Sequence, residues 1–169
     1  AADDFCEGYK KYLDFAKIER ESVEFFVAEA EKRGYEEFDS TKKYNAGDKV
    51  YYNNRGKAII LCVIGKKDIS EGVKISAAHI DSPRLDLKPN PLYEDSNLAY
   101  FKTHYYGGIK KYQWTAIPFA LRGVVVKANG ESVKVNVGED ENDPQFCVTD
   151  LLPHLAQEQM KQTMSDGIK

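Results

Sequence analysis

Disulfide chemistry is the first thing this sequence has too little cysteine to support. Its 169 residues include three cysteines, Cys6, Cys62 and Cys147, odd in number and far apart, with no C-x-x-C pair. A disulfide framework and a thiol-redox motif are both excluded, and a reducing, cytoplasmic setting is expected. Cys62 sits inside "AIILCVIG" and is expected to be a small buried hydrophobe. Long apolar runs are missing too: none reaches the roughly 18–20 residues that cross a bilayer. "AADDFCEGYKK" opens acidic and has no apolar signal core, so neither a membrane nor export is expected. Charge of one sign is scarce. The net charge of −3 gives no general attraction to nucleic acid or to anionic membrane. Histidine is rare, with three in all: His79, His104 and His154. Internal repeats and low-complexity tracts are absent. What remains, 42% hydrophobic and 30% charged, is the composition of a globular chain of about one domain.

Local patterns then place the elements. In "ERESVEFFVAEAEKRG", Val23, Phe26, Val27 and Ala30 stand at i, i+3, i+4 and i+7, one face of a helix. That helix is expected to start near Asp3 or Asp4, which suit the positive end of the helix dipole, and to stop at Gly34 after Lys32 and Arg33. "DKVYYNNRGKAIILCVIG" reads as a hairpin turning at "NNRG". The six apolar residues Ala58–Val63 predict a strand covered on both faces, as in an α/β sheet. "GVKISAAHI" predicts a third strand. "KPNPLYEDSN" is rich in turn formers and suits a crossing between domains. "AIPFALRGVVVKA" and "ESVKVNVG" are strands joined at Asn129-Gly130, and "EDENDPQ" is an acidic surface loop. "TDLLPHLAQEQMKQTM" predicts a closing helix, capped by Thr149 or Asp150, with Pro153 in its first turn.

The chemistry of the chain gathers in "KISAAHIDSPRLDLKP". An apolar, strand-like run carries straight into His79, Ile80, Asp81, Ser82 and Pro83. Functional groups in open α/β sheets collect at the carboxyl ends of strands. Side chains at i and i+2 share a face, so His79 and Asp81 can point the same way. An imidazole can bind a metal through one nitrogen and donate its other N–H to a carboxylate, which fixes the ring. Spacing alone leaves open whether Asp81 reaches His79 or a neighbouring group. A strand end with a satisfied polar pair would carry the same residues. Pro83 stiffens the turn and restricts Ser82 to extended backbone. His104, in "KTHYYGG", sits among aromatics and reads as a packing residue. Gly107 and Gly108 suit either a plain turn or a close backbone approach.

"AAHIDSPRLDLKPNPLYED" closely resembles the first active-site segment of the aspartyl aminopeptidase family of zinc metallopeptidases. "FCEGYKKYLDFAKIERESVEFF" looks like that family's N-terminal helix, and "GDKVYYNNRGKAIILCVIGK" like its first hairpin. "FKTHYYGGIKKYQW" is similar to the stretch entering its second domain, and "LLPHLA" to a short signature within that domain. The resemblance covers almost the whole chain in the family's order. It implies peptide substrates, trimmed at the N-terminus, and a dinuclear zinc site in which cobalt or manganese can substitute. It implies an α/β fold: residues 1–92 as the opening of a catalytic domain, and 93–169 as part of an inserted β-rich domain. That second domain would support dimers and a larger tetrahedral assembly. His79 matches the first metal-ligand histidine, and Asp81 the catalytic-site aspartate that supports it. His154 matches a histidine that reaches into a neighbouring subunit's active site. "YYGGIKKYQW" departs from the family's more usual glycine- and tryptophan-rich form. It resembles a bacterial branch, for which a preference for acidic N-terminal residues stays open.

A two-metal peptidase needs about five or six protein ligands and a carboxylate base. In the family these come from later segments: an Asp, a Glu-Glu pair, another Asp and a final His. None of them occurs up to "KQTMSDGIK". The chain is therefore expected to be the opening third or so of such an enzyme and inactive alone. Two other classes compete. One is a non-catalytic oligomerisation or binding module built on the β-rich half. The other is nucleic-acid binding through the lysines and aromatics of "FKTHYYGGIKKYQW", which the acidic balance of the chain opposes.

Overall fold

Residues 2–168 are described in a computed structural model. The chain divides into two compact units, Ala1–Asp81 and Ser82–Lys169. The division falls eleven residues before the 92/93 boundary expected from sequence, a position that lies inside a strand.

The first unit opens with two helices, α1 (Ala2–Phe15) and α2 (Glu19–Lys32), where one was expected. The break has local causes. The Ala16 N–H closes α1 on the Tyr12 carbonyl, and Lys17 Nζ donates to the Leu13 carbonyl at 2.7 Å, capping the helix end. Ile18 is extended (φ −132°, ψ 162°), and the Lys17 N–H turns to the Glu21 carboxylate at 2.8 Å. The fold-back brings the Tyr12 ring onto Phe25 and Phe26, with centroids 5.3 and 5.0 Å away. The end of α2 is as expected. Gly34, at φ 80°, lets the Tyr35 N–H reach the Ala30 carbonyl while its own N–H reaches that of Glu31. A residue with a Cβ would be strained there.

Three strands follow: β1 (Glu36–Glu37), β2 (Lys49–Asn54) and β3 (Ala58–Val63), in the order β1-β2-β3. β1 runs parallel to β2, and β2–β3 is the expected hairpin, with Arg55 and Gly56 both left-handed in its turn. The core of this unit is small: Val23 and Ala30 of α2, with Val50 and Tyr51 of β2. β3 is not covered on both faces. It is the edge of its sheet, and Ile60, Leu61, Cys62 and Val63 are exposed. Its apolar run would suit a central strand, but only α2 lies against it, and apart from the half-buried Ile59 its apolar side chains stay open. "GVKISAAHI" likewise forms no strand: residues 72–80 are irregular. A strand exists only where a neighbour takes its hydrogen bonds, and no described strand flanks this segment.

The second unit is built of hairpins. β4 (Arg84–Asp95) and β5 (Leu98–Tyr106) pair antiparallel around a left-handed Ser96-Asn97 turn. "KPNPLYED" is thus strand and not a crossing. Its two prolines fall in the register shift between Leu87 and Leu92, where no ladder bond needs their missing N–H. β6 (Pro118–Phe119) pairs with β9 (Phe146–Cys147), and β7 (Leu121–Val126) with β8 (Ser132–Val137). The β7–β8 turn holds Asn129-Gly130, as expected, with Gly130 at φ 84°. The acidic loop is at the surface, and its Glu139 pairs with Arg122. The closing α-helix is absent. Residues 151–168 form separate turns and one short 3-10 turn, Gln159–Lys161. Leu151, Leu152, Leu155 and Met160 are exposed, so a helix here would lack the packing that sustains short helices.

Candidate metal-ligand site

The segment carrying His79 belongs to the first unit and follows the 3-10 turn Ile69–Glu71. It is tied to the helix pair. Ser22 Oγ on α2 lies 3.5 Å from the Ile80 carbonyl and 3.1 Å from the Tyr12 hydroxyl on α1. Ile80 sits between the two residues singled out from sequence.

His79 and Asp81 come together. Nδ1 of His79 is 2.9 Å from the Asp81 carbonyl oxygen and 3.3 Å from its carboxylate Oδ1. Both partners are acceptors, so Nδ1 carries the proton in the neutral ring, and Nε2 is left with its lone pair. The imidazole is 84% exposed, whereas the Asp81 side chain is half-buried at 34%. This is the arrangement a metal-binding histidine needs: one nitrogen held by oxygen acceptors, the other presented outward. The open question of whether Asp81 reaches His79 is answered: both its carbonyl and its carboxylate do. It is one ligand and its support, not a whole centre. Among the described residues, no group of three His, Cys, Asp or Glu side chains could hold a metal ion. The donor set fits zinc as a single histidine ligand.

The other candidates belong to the second unit. His154 belongs to the second unit, in an exposed turn and not in a helix as expected. His104 is on β5 opposite Asp86, exposed, with its ring parallel to that of Tyr105 at 5.3 Å. Arg84 is held from three sides: Nε bonds Asp86 at 2.7 Å, Nη1 reaches the Ser82 carbonyl at 3.5 Å, and the guanidinium lies 4.0 Å over Tyr106. Gly107, at φ 76°, turns the chain beside Pro83. In the lysine-aromatic stretch, Lys102 lies over Tyr93 and Lys111 over Tyr105. Sequence reading missed Ser22. The available signal was a serine four residues before Phe26, at the margin of the apolar face of α2.

The model of the family described as aminopeptidase I zinc metalloprotease (M18) matches residues 12–169. The chain belongs to the M18 family. Among M18 proteins, it is 52% identical over 165 residues to a probable M18 family aminopeptidase 1 of Clostridium acetobutylicum, covering 95% of this chain and 36% of that one. The crystal structure of an M18 aminopeptidase from Thermotoga maritima matches with a TM-score of 0.89 at 40% identity, over 99% of this chain and 36% of that one. Aminopeptidase I from Borrelia burgdorferi B31 gives a TM-score of 0.82 at 44% identity, over 89% and 37%. The mixed helix-and-sheet fold is thus an M18 fold, and the chain spans about a third of the length of the M18 relatives it matches. No helix among the described residues is long and apolar enough to cross a membrane.

Proposed function

We propose that this chain supplies the first ligand segment of a zinc-dependent aminopeptidase that removes N-terminal residues from peptides. The observation that carries the reading is the His79–Asp81 pair, with Nδ1 engaged and Nε2 presented, in a chain of the M18 family. His79 would hold a zinc ion through Nε2. Asp81 keeps the ring in the tautomer that ligation requires. When bound, zinc supplies Lewis acidity toward water and the peptide carbonyl. The complete centre holds two metals, with cobalt or manganese able to replace zinc. The general base and the remaining ligands come from residues outside this chain. Residues 1–92 serve the catalytic domain, and residues 93–169 a β-rich domain that joins subunits into dimers and a tetrahedral assembly. The setting is cytoplasmic.

The test is zinc stoichiometry and affinity in the full-length protein, measured by chelator competition. His79→Ala is expected to lose one equivalent and nearly all turnover. Wild-type zinc content in that variant would remove the site from this segment.

His154 is assigned to the active site of a neighbouring subunit, where an imidazole N–H can steady developing negative charge; one such donor is typically worth about 10²–10³ in kcat. Mixing a His154→Ala protein with a His79→Ala protein and letting subunits exchange should restore activity. Proven exchange without recovery would confine His154 to its own subunit or to no role.

A further inference from the structure

We infer that Ser22, backed by Tyr12, is a positioning residue for His79; this rests on the ligand role proposed for His79. Ser22 is the buried polar residue of the helix pair, 2% exposed and beside the fully buried Val23. A serine inside a helix usually points to solvent or bonds back to its own helix. Here its hydroxyl faces the Ile80 carbonyl at 3.5 Å and the Tyr12 hydroxyl at 3.1 Å. A carbonyl only accepts, so the donors run in one direction: Tyr12 O–H to Ser22 Oγ, and Ser22 O–H to the Ile80 oxygen. Each bond in such a chain strengthens the next.

The origin of the chain is itself fixed. The Tyr12 ring is wedged against Phe25 and Phe26, and the Ser22 N–H is bonded to the Ile18 carbonyl at 3.1 Å in the first turn of α2. Its target is not fixed by secondary structure, because residues 72–83 belong to no helix or strand. The Ile80 carbonyl lies in the planar peptide group that leads into Asp81. Holding that plane sets where Asp81 begins, and so where the carbonyl and carboxylate that grip His79 Nδ1 can lie. Ser22 thus acts on the ligand through Asp81, without touching it.

The bond to Ile80 is long, so its effect is that of one modest hydrogen bond. The test measures zinc affinity of the full-length protein by competition with a chromophoric chelator, together with thermal unfolding of the zinc-free form. Ser22→Ala is expected to weaken one zinc equivalent about 3- to 10-fold, and Ser22→Thr, which keeps the hydroxyl, to recover to within about 2-fold. Tyr12→Phe removes only the upstream O–H and is expected to cost about 2-fold; it carries the test if Ser22→Ala does not fold. Val23→Ala, a cavity at the adjacent buried position, should lower the unfolding temperature and leave zinc affinity unchanged. The inference is overturned if His79→Ala loses zinc while Ser22→Ala and Tyr12→Phe bind as wild type; the ligand role then survives alone. It is also overturned if affinity merely tracks unfolding temperature across Ser22→Ala and Val23→Ala. If His79→Ala itself binds as wild type, both readings fall together.

Discussion

His79 is held by two different oxygens of one residue, and they differ in what mutation can remove. The backbone carbonyl of Asp81 is the nearer acceptor at 2.9 Å, and the carboxylate follows at 3.3 Å. Asp81→Asn keeps the carbonyl and keeps an amide oxygen, but loses the negative charge that makes the imidazole a stronger donor to metal. Loss of such a supporting group typically weakens metal binding by about 10- to 100-fold. With the nearer acceptor retained, Asp81→Asn is expected at the low end, about 10-fold. Isothermal titration with zinc on the full-length protein checks this, and an unchanged affinity would mean that the carbonyl alone orients the ring. The His-x-Asp spacing made this pair legible in sequence, because i and i+2 share a face in any extended segment. Ser22 was not legible, because its partner Ile80 is 58 residues away along the chain.

At the scale of elements, α2 and β2 are joined by a buried phenol. Tyr51 is 6% exposed, and its hydroxyl donates to Glu31 Oε1 at 2.9 Å. Burial first, and then the Glu31 carboxylate, push the Tyr51 phenol up to about 12. An unfolded tyrosine titrates near pH 10, so the folded state keeps a proton that the unfolded state gives up as pH rises. The stability that Tyr51 contributes is complete below about pH 10 and is lost as pH climbs towards about 12. Urea midpoints measured at about pH 9 and about pH 11 should fall in the wild type, and fall less in Tyr51→Phe. Equal losses in both proteins would refute the link. The elements divide by where their cause lies. The α2 stop at Gly34 and the turn at Asn129-Gly130 were legible because their signals lie within a few residues. β3, the segment before His79 and the helix expected after Thr149 were misread because each depends on a partner. An apolar run says that a strand wants cover, and a periodic run says that a helix wants packing; neither supplies the surface that meets it.

For the molecule as a whole, the decisive quantity is the number of metal donors that converge. One histidine and its supporting aspartate are brought together, and among the described residues no three metal-binding side chains gather. A two-metal centre asks for about five or six ligands and a base. The 169-residue chain alone is therefore expected not to hydrolyse aminoacyl-nitroanilides, with or without added zinc or cobalt. Metal-dependent turnover by that chain would overturn the donor count. The family was legible from several motifs in order, which is why it outlasted the errors in individual elements.

The Asn129-Gly130 turn also bears on how this protein ages. Asparagine before glycine is prone to lose ammonia, because the next backbone nitrogen can attack the side-chain amide and close a ring. In this turn both reacting groups are occupied: the Gly130 N–H donates to the Lys127 carbonyl at 2.9 Å, and Asn129 Oδ1 accepts from the Glu131 N–H at 3.0 Å. The folded hairpin should therefore protect a bond that an unfolded chain leaves open. Peptide mapping of stored samples should find Asn129 converted to aspartate and isoaspartate more slowly in native than in urea-unfolded protein, so that its deamidation records how long each molecule has spent unfolded.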